Sequence, residues 1–107
     1  MQIIRGTTPT IKINITSDID LNNVIQVWVY IYQFGKCKVD KVIEDVVIDA
    51  TNKKVSVTLT QDDTLELKAG DALFQIRMLL DDGTALATVA SKTTIAEIYK
   101  DGVITNE

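Results

Sequence analysis

The ten residues from Val24 to Gln33 restrict the possible folds of this 107-residue chain more than any other segment. Four of them lie on one face of an extended strand: Ile25, Val27, Val29 and Ile31. Three aromatic residues lie on the opposite face: Trp28, Tyr30 and Tyr32. β-branched and aromatic residues at this density favour a central strand of a sheet over a helix. Because both faces are apolar, the core can cover one of them and something else must cover the other.

Alternating apolar and polar residues predict further strands around this one. Seven strands are predicted in all, over residues 11–15, 24–33, 37–43, 46–48, 55–59, 72–80 and 85–92. Asp81-Asp82-Gly83, between the last two, is a strong hairpin signal. Short strands with frequent turns and few helix signals are typical of an all-β, antiparallel β-sandwich. We therefore expect one such domain over residues 1–107, with about seven strands.

The inward-facing residues of these strands form the predicted core. They are Ile11, Ile13, Ile15, Val27, Val29, Val55, Val57, Leu59, Phe74, Ile76 and Met78. Cys37, which falls in the alternation of a strand, is interpreted as a small buried hydrophobe.

Two segments carry helix signals. Thr60-Gln61-Asp62-Asp63 fits a capping box and predicts one helical turn at a corner, with the Thr60 hydroxyl accepting from the N–H of Asp63. Thr94-Ile95-Ala96-Glu97 fits the same pattern and predicts one short C-terminal helix, with Gly102 as its stop. Ile95, Ile98 and Tyr99 would share one side of this helix.

The composition removes most classes of catalytic and metal site. The chain has no histidine, so it lacks imidazole ligands and the usual general base near neutral pH. Cys37 is the sole cysteine, and the acidic pairs at Asp18/Asp20, Asp62/Asp63 and Asp81/Asp82 are better explained by turns and caps than by a calcium loop. We therefore predict no catalytic residue, no metal site and no cofactor.

Charge and hydropathy limit the partners. The net charge is −4 and no basic cluster offsets it, so the sequence predicts binding neither to nucleic acid nor to an anionic membrane. No apolar run reaches the roughly 20 residues of a membrane-spanning helix, and the start lacks the pattern of a signal peptide. We expect synthesis in a reducing cytoplasm.

Trp28, Tyr30 and Tyr32 are the candidate interaction residues, with two possible covers. The predicted C-terminal helix could lie over them as a lid, which the usual burial of large apolar side chains favours. A partner subunit could cover them instead, because aromatic surfaces are common at interfaces. A helix that covers part of the stripe would leave the remainder for an oligomeric contact.

Four segments carry a resemblance to a known family: Arg5 to Thr10, Val55 to Thr64, Lys68 to Gly70 and Lys100 to Ile104. Through them the chain resembles small prophage proteins encoded among tail and baseplate genes of Firmicutes-type bacteria. It is similar, more distantly, to the N-terminal β-sandwich module of phage baseplate upper proteins. The resemblance implies an immunoglobulin-like sandwich in a virion structural protein, and it supplies no catalytic or ligand residue to carry over.

The leading hypothesis is therefore a structural or assembly protein of a phage tail or baseplate. It would bind other phage structural proteins or itself, as a possible homo-oligomer, and would pass from the bacterial cytoplasm into the virion. The alternative is a free-standing ligand-binding β-sandwich such as a carbohydrate-binding module, because exposed tryptophan and tyrosine rings can also stack on sugars.

Overall fold

The computed structural model describes residues 1–16, 18–88 and 90–106. Within these ranges the chain forms nine strands: β1 (Gln2–Ile4), β2 (Thr10–Asn14), β3 (Val24–Gln33), β4 (Lys36–Val42), β5 (Val46–Asp49), β6 (Lys54–Thr58), β7 (Gly70–Leu80), β8 (Ala85–Ala87) and β9 (Ser91–Ala96). One α-helix, α1, spans Gln61–Leu65, and single 3-10 turns span Leu21–Asn23 and Ile43–Asp45. None of the helices in these ranges has the length and apolar character needed to cross a bilayer.

The strands form two sheets. The larger has the order β1-β9-β7-β3-β4, with β8 also paired to β7, and the smaller has the order β2-β6-β5. In immunoglobulin domains strands B, E and D share one sheet, while G, F, C and C′ share the other. The smaller sheet matches the first set and the run β9-β7-β3-β4 matches the second. The chain is therefore an immunoglobulin-like β-sandwich, as the sequence resemblance implied.

One pair of strands departs from the antiparallel pattern that was predicted. β1, which was not among the predicted strands, pairs in parallel with β9 over Gln2–Ile4. Ile3 is the inward residue of this short strand and is buried in the core. The larger sheet is therefore mixed.

The core lies between the two sheets and confirms the predicted residues. All of them are buried except Ile13, which is partly buried and packs against the same cluster. Ile25, predicted to share the inward face of β3, is exposed instead. The register of β3 with β7 shifts between Val24 and Gln26, so Ile25 is the extra residue of a β-bulge and leaves the alternation.

The prediction of a C-terminal helix is wrong. Thr94 and Ile95 belong to β9, where they pair with β1 on one side and with β7 on the other. Thr93 and Ile95 point inward and are buried, a period of two that a helix cannot provide. Pairing with two distant strands therefore overrides the local capping pattern, and Tyr99, the expected lid residue, is fully exposed.

The strand predicted over 85–92 is divided in the structure. β8 ends at Ala87 and β9 begins at Ser91, with residue 89 outside the described part. Thr88 lies at the interruption and forms two hydrogen bonds with Ile76 of β7. Its N–H donates to the carbonyl of Ile76 at 2.9 Å, and its hydroxyl accepts from the N–H of Ile76 at 3.1 Å. The division and the unexpected β1 account for the two strands beyond the predicted seven.

The helical corner predicted at Thr60 is confirmed. The hydroxyl of Thr60 accepts from the N–H of Asp63 at 3.1 Å, and the carboxylate of Asp63 accepts from the N–H of Thr60 at 2.8 Å. Asp63 also forms an ion pair with Lys41 at 2.7 Å. The capping box thus fastens the start of α1 and ties it to β4.

Removing the Thr60 hydroxyl should destabilise the domain. Thr60→Ala leaves the N–H of Asp63 without its acceptor, and we expect a loss of about 1 kcal/mol in the free energy of unfolding. Thr60→Ser keeps the hydroxyl and should be nearly silent in the same urea titration. Equal losses from the two variants would mean that the methyl group, rather than the cap, stabilises this corner.

Candidate interaction surface

The three aromatic residues singled out in the sequence share one face of the larger sheet. Trp28, Tyr30 and Tyr32 alternate along β3 with the buried Val27, Val29 and Ile31, so their side chains point away from the core. Trp28 and Tyr30 are half-buried, whereas Tyr32 is 44% exposed. The rings of Tyr30 and Tyr32 meet edge to face, with centroids 6.3 Å apart. We call this surface the aromatic face.

The helical lid proposed for this surface does not exist, because Ile95 belongs to β9, and Ile98 and Tyr99 lie in a segment without helix or strand. The neighbours of the aromatic face are instead the flanking strands of its own sheet. On β4, Val42 lies opposite Trp28 and Asp40 opposite Tyr30. On β7, Arg77 lies opposite Trp28, and Leu73 lies opposite Tyr32. With these neighbours Trp28 and Tyr30 remain half-buried and Tyr32 remains exposed.

The open surface deepens into a shallow apolar depression at the Tyr32 end. Its volume is about 430 Å³, and Tyr32, Phe34 and Leu73 line it. Leu73 is 50% exposed and Phe34 is 71% exposed. Asp71 and Lys92 form an exposed ion pair at its rim, at 3.2 Å. An apolar floor with a charged rim is the general arrangement of a protein–protein contact.

Phe34 occupies an unusual backbone conformation at this end of the face. Phe34 and Gly35 join β3 to β4 with φ values of 55° and 73°. A two-residue hairpin turn needs positive φ at both positions, which glycine, asparagine and aspartate adopt most easily. A bulky aromatic residue pays a steric penalty there, of about 1 kcal/mol. In spite of this penalty, a large exposed ring lies beside Tyr32. The ring contributes little to the stability of the fold, because it is mostly in water.

Relieving this strain should stabilise the domain. Phe34→Asn supplies a residue that tolerates positive φ and removes a side chain that is mostly in water. We expect the free energy of unfolding in urea to rise by about 1 kcal/mol. Phe34→Leu keeps a branched apolar side chain in the same conformation and should show no such gain. A loss of stability in the asparagine variant would show that the ring has a packing role.

Cys37 was interpreted as buried, and this interpretation is wrong. Cys37 is exposed and lies opposite Tyr32 on the aromatic face. The register of β3 with β4 shifts between Ile31 and Tyr32, and this irregularity displaces Cys37 from the inward alternation. Partial desolvation and the nearby carboxylate of Asp40 raise the pKa of the Cys37 thiol, which disfavours the reactive thiolate.

A second cluster, around Arg5 and α1, brings together three of the four segments that carry the family resemblance. Arg5 is 7% exposed, and its guanidinium donates to the carbonyls of Leu67 at 2.7 Å and Leu65 at 3.1 Å. It also pairs with the carboxylates of Glu97 and Asp101. Arg5 thereby supplies donors to carbonyl groups that the end of α1 leaves without helical partners.

Other contacts of the same cluster join the N-terminal and C-terminal segments to α1. The hydroxyl of Thr64 donates to the carbonyl of Thr7 at 2.9 Å. The amide of Gln61 donates to the carbonyl of Ile104 at 3.1 Å and accepts from its N–H at 2.8 Å. Gly6 has a φ of 75°, and a Cβ there would lie 3.0 Å from the side chain of Ile98. These residues fasten the fold, and the sequence pattern alone had given no reason to group them.

Acid should weaken this cluster. The guanidinium of Arg5 and the N–H of Ile98 donate to Glu97, and they hold the pKa of its carboxyl below the usual range. Partial burial raises the pKa of Asp63, but Lys41 and the Thr60 amide outweigh it and the net pKa is lowered. Folded-state pKa values below the unfolded ones stabilise the protein above about pH 4, and this contribution disappears as the pH falls further.

We therefore expect the free energy of unfolding, measured in urea across a pH series, to fall steeply below about pH 4. Glu97→Gln removes one of the responsible groups and should make that fall shallower. Glu44→Gln is the matched control, because Glu44 is exposed and forms no ion pair within the described residues. If the free energy of unfolding of Glu97→Gln fell with pH as steeply as that of the wild type, Glu97 would not be one of the groups responsible.

Comparison with known proteins informs the fold. No protein-family profile and no curated protein sequence matches the chain. Among solved structures it is similar to CopC from Methylosinus trichosporium OB3b, with a TM-score of 0.55, 15% identity, and coverage of 94% of this chain and 89% of CopC. This likeness shows a shared fold alone. Among the residues described, no group of three or more acidic or cysteine side chains is placed to hold a metal ion.

Two further structures superpose less closely. Extracellular domains 3–5 of Drosophila OTK give a TM-score of 0.39 at 15% identity, covering 94% of this chain and 32% of that one. The V domain of amphioxus IgVJ-C2 gives 0.35 at 11% identity, covering 90% of this chain and 99% of that domain. The assignment to an immunoglobulin-like sandwich rests on the strand order rather than on these two similarities.

Proposed function

We propose that this chain is a non-catalytic structural or assembly protein that binds other proteins through its aromatic face. The observation that carries the proposal is the open surface around Tyr32, Phe34 and Leu73, which are 44%, 71% and 50% exposed. Contiguous exposed apolar side chains on a small soluble domain mark a site of interaction. The exposed Phe34 ring, kept in a strained conformation, adds to this case because such strain collects at functional sites.

The phage tail or baseplate is the proposed setting, and its support is the sequence resemblance. Three of the four segments that carry the resemblance meet around Arg5 and α1, through Arg5 and Thr7, Gln61 and Thr64, and Asp101 and Ile104. They build the fold and leave the aromatic face free for partners. In this setting the protein would be made in the bacterial cytoplasm and would function in the virion.

Co-expression with the structural proteins encoded beside its gene tests the proposal. The wild-type chain should form a complex that elutes as one species in size-exclusion chromatography. Leu73→Ser replaces an exposed apolar residue of the aromatic face and should weaken the complex. Val47→Ser is the matched control, because Val47 is 69% exposed on β5 of the opposite sheet. A complex that forms equally well with Leu73→Ser would contradict the proposal.

Carbohydrate binding is the second candidate, and the tyrosine pair favours it specifically. Tyr30 and Tyr32 lie next to each other on an open face, and aromatic rings can stack on sugar rings. A glycan array separates the two functions. Binding of a defined oligosaccharide by the wild type, lost in Tyr32→Ser and retained in Val47→Ser, would favour the carbohydrate function over the structural one.

A further inference from the structure

We infer that the aromatic face binds a second copy of the same chain, around a two-fold axis that runs parallel to β3. This inference rests on the proposed function, because it names a partner for the same surface. What points to a second copy is the placement of two unpaired charges on opposite sides of the aromatic residues.

Asp40 and Arg77 flank the aromatic residues of β3. Asp40 lies on β4 opposite Tyr30, and Arg77 lies on β7 opposite Trp28. Both are exposed, and neither forms an ion pair or a side-chain hydrogen bond within the described part of the chain. Asp71 and Lys92, by contrast, already pair with each other at the end of the same face.

The sign of these charges selects one arrangement of two copies. Two sheets can face each other around a two-fold axis that lies in the plane between them, either along the strands or across them. An axis along β3 places β4 of one copy opposite β7 of the other. Asp40 then faces Arg77 of the second copy, and symmetry repeats the contact on the other side of β3. An axis across the strands would instead place β4 opposite β4 of the second copy. Asp40 would then approach Asp40 of the second copy, which carries the same charge.

Distances permit this contact. Trp28 and Tyr30 are two residues apart on β3, so Asp40 and Arg77 of the facing copy are offset by about 7 Å along the strand. Packed sheets lie about 10 Å apart, and an extended arginine together with an aspartate can span such a separation. In the same arrangement β3 of one copy faces β3 of the other. Each aromatic residue then packs against the same residue of the second copy: Trp28, Tyr30 and Tyr32. Large aromatic side chains at the centre and ion pairs at the rim match the usual anatomy of an interface.

A charge-reversal series in analytical ultracentrifugation tests this inference. The wild type should dimerise reversibly between about 10 μM and about 1 mM. Asp40→Arg and Arg77→Glu each place like charges opposite each other twice per dimer, and each should weaken association about tenfold or more. The double variant Asp40→Arg/Arg77→Glu restores opposite charges in exchanged positions. It should associate within about threefold of the wild type.

Lys12→Glu is the matched control, because it reverses an exposed charge on β2 of the smaller sheet and should leave association unchanged. Asp40→Asn removes one charge without reversing it and should weaken association less than Asp40→Arg does. Circular dichroism and a thermal transition like that of the wild type establish that each variant is folded. A double variant as weak as either single one would overturn the inference. A wild type that stays monomeric throughout would also overturn it, whereas the co-expression experiment with other virion proteins judges the proposed function separately.

Discussion

Arg5→Ala is expected to lower the free energy of unfolding by about 3 kcal/mol. The guanidinium of Arg5 is almost fully buried and donates to the carbonyls of Leu65 and Leu67. Alanine leaves both carbonyls without this donor in a part of the molecule that water reaches poorly. It also releases Glu97 and Asp101, but these carboxylates are largely exposed and can be rehydrated. The main loss should therefore come from the buried carbonyls.

A urea titration of the dilute protein measures this effect, with Arg77→Ala as the matched control. Arg77 is the other arginine of the chain and is exposed on β7, so its replacement should change stability by less than about 0.5 kcal/mol. Arg5→Lys keeps a positive charge but cannot reproduce the branched set of donors, and it should recover only part of the loss. If Arg5→Ala were as harmless as Arg77→Ala, the junction around α1 would not depend on the guanidinium.

Gln33→Leu should destabilise the domain by about 2 kcal/mol. Gln33 is 2% exposed at the end of β3, and its amide donates to the carbonyl of Lys68 at 2.6 Å. The N–H of Lys68 donates back to the Gln33 side chain at 2.7 Å. Leucine has a similar size, so the core stays filled while both groups of Lys68 lose their partner. The loop that leads from α1 into β7 would then be held less firmly.

Gln26→Leu provides the control for this prediction, because Gln26 is an exposed glutamine on the same strand. The same chemical change at Gln26 should alter the free energy of unfolding by less than about 0.5 kcal/mol. Hydrogen exchange of the Lys68 amide should accelerate in Gln33→Leu and stay slow in Gln26→Leu. Equal stability of the two variants would mean that solvent replaces the lost hydrogen bonds without penalty.

The sequence predicted the parts of the fold that local patterns determine. A strand with one buried face imposes a period of two on its own residues, and so β2, β3 and β6 could be located from alternation. The cap at Thr60 could also be predicted, because its donor and acceptor are three residues apart. The bulge at Ile25 could not, since it depends on the register that β7 imposes on β3.

The helix predicted at Thr94 failed for a related reason. Thr94 and Glu97 satisfy the spacing of a capping box, but β1 and β7 offer this segment a place in a sheet. The choice between helix and strand for this segment is therefore made by β1 and β7, which are distant from it in sequence. Glu97 forms an ion pair with Arg5 instead of capping a helix, and nothing in the local sequence indicated that pairing.

The aromatic face was only partly predictable. Alternation along β3 placed Trp28, Tyr30 and Tyr32 on one side, and the structure puts them there. Their neighbours Asp40, Leu73 and Arg77 belong to other strands, so the sequence could not associate them before the register was known. The strained conformation of Phe34 could not be predicted from the sequence, for a similar reason. The strands predicted over 24–33 and 37–43 leave a short connection that contains Phe34 and Gly35, but φ at Phe34 depends on the type of turn that the paired strands require.

The fluorescence of Trp28 tests most directly the claim that the aromatic face is a contact surface. Trp28 is the only tryptophan of the chain and lies on that face, so its emission reports on this surface alone. The emission should shift to shorter wavelengths as the protein is concentrated or as a purified candidate for the proposed partner is added, because either partner removes water from the indole. Arg77→Glu should suppress the shift caused by concentration, and the double charge reversal should restore it. An emission spectrum that stays the same at every concentration and with every such partner would contradict the account.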